Sequence, residues 1–257
     1  MNQRFLRGMH FRSVEAESPK GVVFYIHGLG ESGLCLERLM GHPLLKDYSH
    51  LAADMPGYGK SPWPDVPLGI SEQAELLAQW LSSFNMPGVV VLGHSMGGVI
   101  GTLLCERNPG AIRSFINVEG NLSLDDCTFS SHIDAYTFED FLAHGFDAFR
   151  DTIYERGLSD RAHRLYHASL LMCDPRTIYK NSSELVSLSK GEDLASRLGS
   201  LPLPSCYIRG NPKGTQEYSL GLLRKAEVPL VEISGSGHWP FIDQPDEFAG
   251  KLLRILS

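Results

Sequence analysis

The stretch VVVLGHSMGG (89–98) sets Ser95 between Gly93 and Gly97, at the end of a run of β-branched residues. A serine in a G-x-S-x-G pattern that follows an apolar strand and opens a helix can act as a nucleophile. The strand-to-helix turn is sharp, it projects Oγ from the carboxyl end of a sheet, and side chains two residues to either side would crowd it. The helix N-terminus also favours developing negative charge. Serine attacks carbonyls, so the chemistry is acyl transfer through an acyl-serine intermediate. It requires a base for the hydroxyl proton, an acid to orient that base, and N–H donors for the oxyanion. The same five residues would also suit a serine that only caps a helix.

Other chemistries leave no trace in the sequence. There is no H-E-x-x-H, no metal-ligand spacing of Cys and His, and no Walker or dinucleotide fingerprint. Neither a metal nor a cofactor is expected. The five cysteines, at 35, 105, 127, 173 and 206, are odd in number and widely spaced, which argues against a disulfide framework and favours a reducing compartment. The net charge is -7 and no basic run occurs, so nucleic acid is not an expected partner. No apolar stretch has signal-peptide or membrane-spanning length, which makes a cytoplasmic location the expectation.

The elements that must position Ser95 can be read from the apolar runs. VVFYI (22–26), LAAD (51–54), VVVL (89–92), IRSFINV (112–118), SCYIR (205–209) and PLVEI (229–233) predict strands. Helices are predicted over 71–84, with Ser71 as N-cap and Pro87-Gly88 closing the segment, over 96–107, and from about 246 to 256. Strands alternating with helices imply an α/β fold, a mostly parallel central sheet flanked by helices. Residues 121–200 break the alternation. They carry amphipathic helices at 137–149, where Phe138, Phe141, Leu142, Phe146 and Phe149 would share one face, and at 161–172. The expected division is a core of 1–120 and 201–257 with a helical cap inserted at 121–200.

Four motifs, HGLG (27–30), DMPGYGKS (54–61), GHSMGG (93–98) and SGSGHWPFIDQP (234–245), occur in the order found in the α/β-hydrolase superfamily, and the chain resembles that superfamily over nearly its whole length. The resemblance implies that the Leu29 and Met96 N–H groups form the oxyanion hole. It implies that His238 is the base, on a loop after PLVEI whose small residues let it reach back over the sheet. Trp239 would pack against that loop and wall the acyl pocket. His27 and His94 read as structural, as does the DMPGYGKS loop, with Tyr58 or Lys60 near the pocket mouth.

Most of the superfamily places its acid after the strand corresponding to SCYIR. Here that loop, Gly210-Asn211-Pro212-Lys213-Gly214, lacks a carboxylate, and Glu217 lies farther along on an expected helix. Some branches take the acid from the end of the sixth strand instead. Glu119 ends IRSFINV, 24 residues after Ser95, and is followed by a permissive glycine. Its extra methylene helps it reach the histidine from a different strand, so Glu119 is the expected acid, ahead of Asp125 and Asp126 beyond the strand end.

Serine rather than aspartate as nucleophile argues against dehalogenase and epoxide-hydrolase chemistry. The expected activity is hydrolysis of a small-molecule carboxylic ester. Nine of the 24 aromatic residues fall between 129 and 179, which suggests a small to medium apolar acyl or alcohol group, although the cap's own core would use the same residues. A thioesterase, a lactonase, a C–C bond hydrolase and a ligand-binding receptor on the same scaffold are the alternatives. Oligomeric state is not legible.

Overall fold

The computed structural model describes residues 1–84 and 88–257; Pro87, expected to end a helix, lies outside the described residues. The chain opens with a hairpin that the apolar runs did not predict, β1 (Asn2–Leu6) and β2 (Met9–Val14). Arg7 and Gly8 both have positive φ, 49° and 81°, the backbone of a tight two-residue hairpin turn. The sequence of β2, MHFRSV, is half polar and forms no apolar run. Its buried Arg12 is held by Asp54 at 2.6 Å and by Glu37 at 2.8 Å.

The predicted strands follow as β3 (Val22–Ile26), β4 (Ser49–Asp54), β5 (Val89–His94), β6 (Ile112–Val118), β7 (Ser205–Lys213) and β8 (Leu230–Gly237). The sheet order is β1-β2-β4-β3-β5-β6-β7-β8. β2 runs antiparallel to β1 and β4, and every pairing from β4 to β8 is parallel. The parallel strands read as continuous Val/Ile/Phe runs because helices cover both faces. β3, β5, β6 and β8 all end on one edge of the sheet. A residue after β8 must therefore cross β7 and β6 to reach β5.

The helix predicted from Ser71 begins at Ile70, so Ser71 lies inside it; Glu72 accepts the Gly69 N–H at 2.7 Å and secures the start. Helix Met96–Arg107 is buried from Met96 through Cys105, as expected for the helix that follows a central strand. Between β6 and β7, residues 124–199 form helices only. The continuous face expected over 137–149 is not present. The helix starts as predicted, with the Thr137 side chain accepting the Asp140 N–H, but Phe141–Gly145 widens into a π turn. The extra residue shifts the register. Phe141, Phe146 and Phe149 are buried, whereas Phe138 and Leu142 are exposed.

Candidate active site

Ser95 sits at the junction of β5 and its helix with φ 52° and ψ -120°, a conformation that L-residues rarely adopt. Its N–H donates to Val118 O at 2.9 Å, and its carbonyl accepts from Gly98 N–H at 2.7 Å. It occupies the N-cap position of the helix, but its side chain makes no capping hydrogen bond. A Cβ on Gly93 would lie 2.1 Å from Gly97 O, and one on Gly97 would lie 2.2 Å from Ile26 O. The turn thus packs against its own helix and against β3 through bare backbone.

Glu119, directly after β6, also has a positive φ of 52° and is 3% exposed. Its Oε1 accepts N–H groups from Gly210 at 2.6 Å and Thr215 at 3.2 Å. Its Oε2 lies 3.5 Å from His238 Nδ1. The other candidate acids lie elsewhere. Asn211 donates to Glu232 at 3.3 Å, and Glu217 pairs with Arg224 on the surface. Asp125 is exposed, while Asp126 takes the N–H groups of Leu122 and Ser123.

A second buried carboxylate went unrecognised in the sequence. Glu31 is 1% exposed and accepts the Gly28 N–H at 2.8 Å, the Trp239 Nε1–H at 2.5 Å and His94 Nδ1 at 3.0 Å. The opposite nitrogen of His94, Nε2, meets the main-chain oxygen of His238 at 2.7 Å. Burial alone would raise the Glu31 carboxyl, but His94 and the N–H donors outweigh it and hold it down at about 2. Burial would lower the His94 imidazole, and the Glu31 charge more than reverses that. A buried ionisable group beside an apolar turn must find a partner, but the order of residues along the chain does not say which one. His27 is structural as expected, accepting the Met55 N–H at 3.0 Å.

Ser95, His238 and Leu29 line one small chamber of about 20 Å³, with Asn121, Asp126 and Tyr166 among its other walls. Outside lies a groove of about 980 Å³, lined in part by Arg161, Lys213 and Asp243. Thr128, Phe129, His238 and Trp239 belong to both walls. Among the described residues, no acceptor is found for the N–H of Leu29 or of Met96. Tyr58 and Lys60 do not reach the chamber: the Tyr58 hydroxyl donates to Asn181, and Lys60 Nζ to Gln3. Of the aromatics between 129 and 179, only Phe129 and Tyr166 line the chamber.

A family model described as "Alpha/beta hydrolase family" matches residues 23–251. The chain belongs to the alpha/beta hydrolase family. This hydrolase is 26% identical over 242 residues to a pimeloyl-[acyl-carrier protein] methyl ester esterase of Proteus mirabilis, covering 85% of this chain and 84% of that protein. It is 32% identical over 124 residues to lipase LipV of Mycobacterium tuberculosis, a match spanning 48% of this chain and 46% of the lipase. Among solved structures, N-acyl homoserine lactonase AidH with N-butanoyl homoserine superposes with a TM-score of 0.75 at 18% identity, over 100% of this chain and 96% of that one. A thermophilic esterase from Thermogutta terrifontis superposes with a TM-score of 0.77 at 14% identity, over 96% and 94%. At these identities the two superpositions speak to the fold alone. Among the described residues, no helix is long and apolar enough to cross a membrane.

Proposed function

We propose that this protein hydrolyses small carboxylic esters through an acyl-serine intermediate. Ser95 is the nucleophile, His238 the proton carrier, Glu119 the orienting carboxylate, and the N–H groups of Leu29 and Met96 the oxyanion donors. The observation that carries the proposal is a strained, uncapping Ser95 sharing a chamber with an imidazole whose Nδ1 faces a buried carboxylate. Relatives named as esterase and lipase support the same reading.

The steps follow from these positions. Glu119 favours the tautomer with the proton on His238 Nδ1, which leaves the Nε2 lone pair for the Ser95 proton. Ser95 Oγ adds to the ester carbonyl as that proton moves, and the oxyanion meets the two main-chain donors. Collapse breaks the C–O bond, and His238 returns the proton to the departing alcohol. Water then adds to the acyl-serine, giving a proton to His238. The acid leaves, and Ser95 recovers its hydrogen. Ser95 Oγ and the imidazole share no hydrogen bond in the structure, so a small closing movement precedes transfer; such contacts commonly tighten only with substrate in place.

Hydrolysis of p-nitrophenyl acetate and covalent labelling by a fluorophosphonate test the assignment. Ser95→Ala should lose both, with kcat falling by on the order of 10⁴ or more while the thermal unfolding midpoint is retained. Wild-type protein that neither turns over short esters nor labels would refute it.

A further inference from the structure

Glu31 and His94 have no part in the steps above, yet they meet all three turns that carry the proposed oxyanion loop, nucleophile and base. Gly28 precedes Leu29, His94 precedes Ser95, and Trp239 follows His238. Glu31 accepts the Gly28 N–H on one oxygen and the Trp239 Nε1–H on the other. His94 Nδ1 lies 3.0 Å from both Glu31 oxygens, and its Nε2 lies 2.7 Å from the main-chain oxygen of His238. The rings of His94 and His238 are 4.8 Å apart between centroids. Glu31 and His94 are 1% and 0% exposed, so bulk water offers neither of them another partner.

These partners fix the protons on His94. A main-chain oxygen can only accept, so Nε2 carries hydrogen. Each Glu31 oxygen already receives an N–H, the surroundings of an ionised carboxylate, so Nδ1 donates as well. A ring with hydrogen on both nitrogens is an imidazolium. Burial lowers the His94 titration, but the Glu31 charge, the bond to it, the His238 oxygen and the Glu119 charge together raise it. Among the described residues, the ionisable groups that bear on this ring are thus Glu31 after β3, Glu119 after β6 and His238 after β8; Trp239 and Phe241 supply uncharged contacts. A buried ion pair is retained only where its remaining hydrogen bonds are satisfied, as they are at both ends here.

A neutral His94 cannot make both contacts. Beside the Glu31 carboxylate its one proton stays on Nδ1, and the Nε2 lone pair then faces the His238 oxygen, acceptor against acceptor. Resting on the ester-hydrolase reading above, we propose that Glu31 and the imidazolium of His94 are positioning residues for the base. The charge-assisted bond to the His238 main chain holds that loop where its imidazole faces Ser95 and Glu119 together. Turnover therefore falls when His94 loses its proton. Ser95, His238 and Glu119 without this pair would give a rate that rises as His238 deprotonates and then stays level.

Nitrogen NMR of the histidine side chains in the intact wild-type protein reads the charge state, with the His94 ring assigned by its contact with Phe241. At pH 7 both of its nitrogens should carry hydrogen; a single ring proton overturns the inference. On raising the pH, kcat for p-nitrophenyl acetate, corrected for spontaneous hydrolysis, should fall reversibly as that ring titrates, with the circular dichroism unchanged. A kcat that stays level through the titration overturns the inference. His94→Gln offers one donor group in place of two. It should lose on the order of 10² in kcat at pH 7, with KM little changed, and its residual activity should show no alkaline decline. Should it fail to fold, Glu31→Gln takes its place with the same loss expected. A variant as active as wild type refutes this role alone and leaves ester hydrolysis standing. Wild-type protein with neither turnover nor fluorophosphonate labelling refutes the ester reading and this role with it.

Discussion

Glu119, the carboxylate proposed to orient His238, is held in place by the loop where the acid was first looked for. That loop after β7 carries no carboxylate, yet its Gly210 and Thr215 amides bind Glu119 Oε1, and a Cβ on Gly214 would lie 2.2 Å from that oxygen. With Oε1 occupied, Oε2 is the oxygen left for the imidazole. Glu119→Gln keeps the shape but presents either an N–H or a neutral oxygen to Nδ1. It should lower kcat by about 10³–10⁴ in a stopped-flow or steady-state ester assay. Asn211→Ala, whose partner is Glu232, should leave kcat near wild type. Ser95, His238 and Glu119 were legible because each ends a strand within a motif or at a predictable edge. Glu31 was not, because nothing in the chain order says that it will meet His94 and Trp239. That knowledge requires the sheet to bring the loops after β3, β5 and β8 together.

The elements were legible where apolar runs are uninterrupted and obscure where polar pairs or irregular turns replace them. The central strands and the buried helix after Ser95 carry strong patterns. The N-terminal hairpin hid behind Arg12, and the π turn at Phe141–Gly145 undid a face that regular helical spacing implied. Contact through bare backbone at the serine turn gives a test at this scale. Gly97→Ala places a methyl 2.2 Å from Ile26 O and must push the helix off β3. Overpacking of this kind should lower stability by about 1–3 kcal/mol and depress activity as the turn shifts. Gly221→Ala, inside helix Glu217–Lys225 with open space around it, should instead gain roughly 0.5–1 kcal/mol. Chemical denaturation of the two variants reads both outcomes.

For the molecule as a whole, the buried ionisable groups predict acid lability. Asp54 and Glu31 both titrate below their ordinary values, each because a cationic partner and N–H donors overcome burial. Their contributions are complete above the unfolded carboxylate range and decline as pH falls toward the folded values. Burial lowers the His10, His27 and His50 imidazoles, so they too favour folding above the ordinary histidine value and lose that contribution on acidification. His94 acts in the opposite sense: its raised value stabilises at low pH, and that contribution fades as pH rises through it. The net expectation is a melting temperature that declines from pH 6.5 downward. Glu31→Gln should lower it at neutral pH and flatten its acid limb, as scanning calorimetry would record. The bond from His94 Nε2 to the main-chain oxygen of His238 has a further consequence. It ties the residue before Ser95 to the main chain of His238 itself, a link between β5 and the loop after β8 that does not run through β6 and β7. In the proposed reaction that side chain would help hold the hydroxyl and the ring in register while itself taking no part in the chemistry.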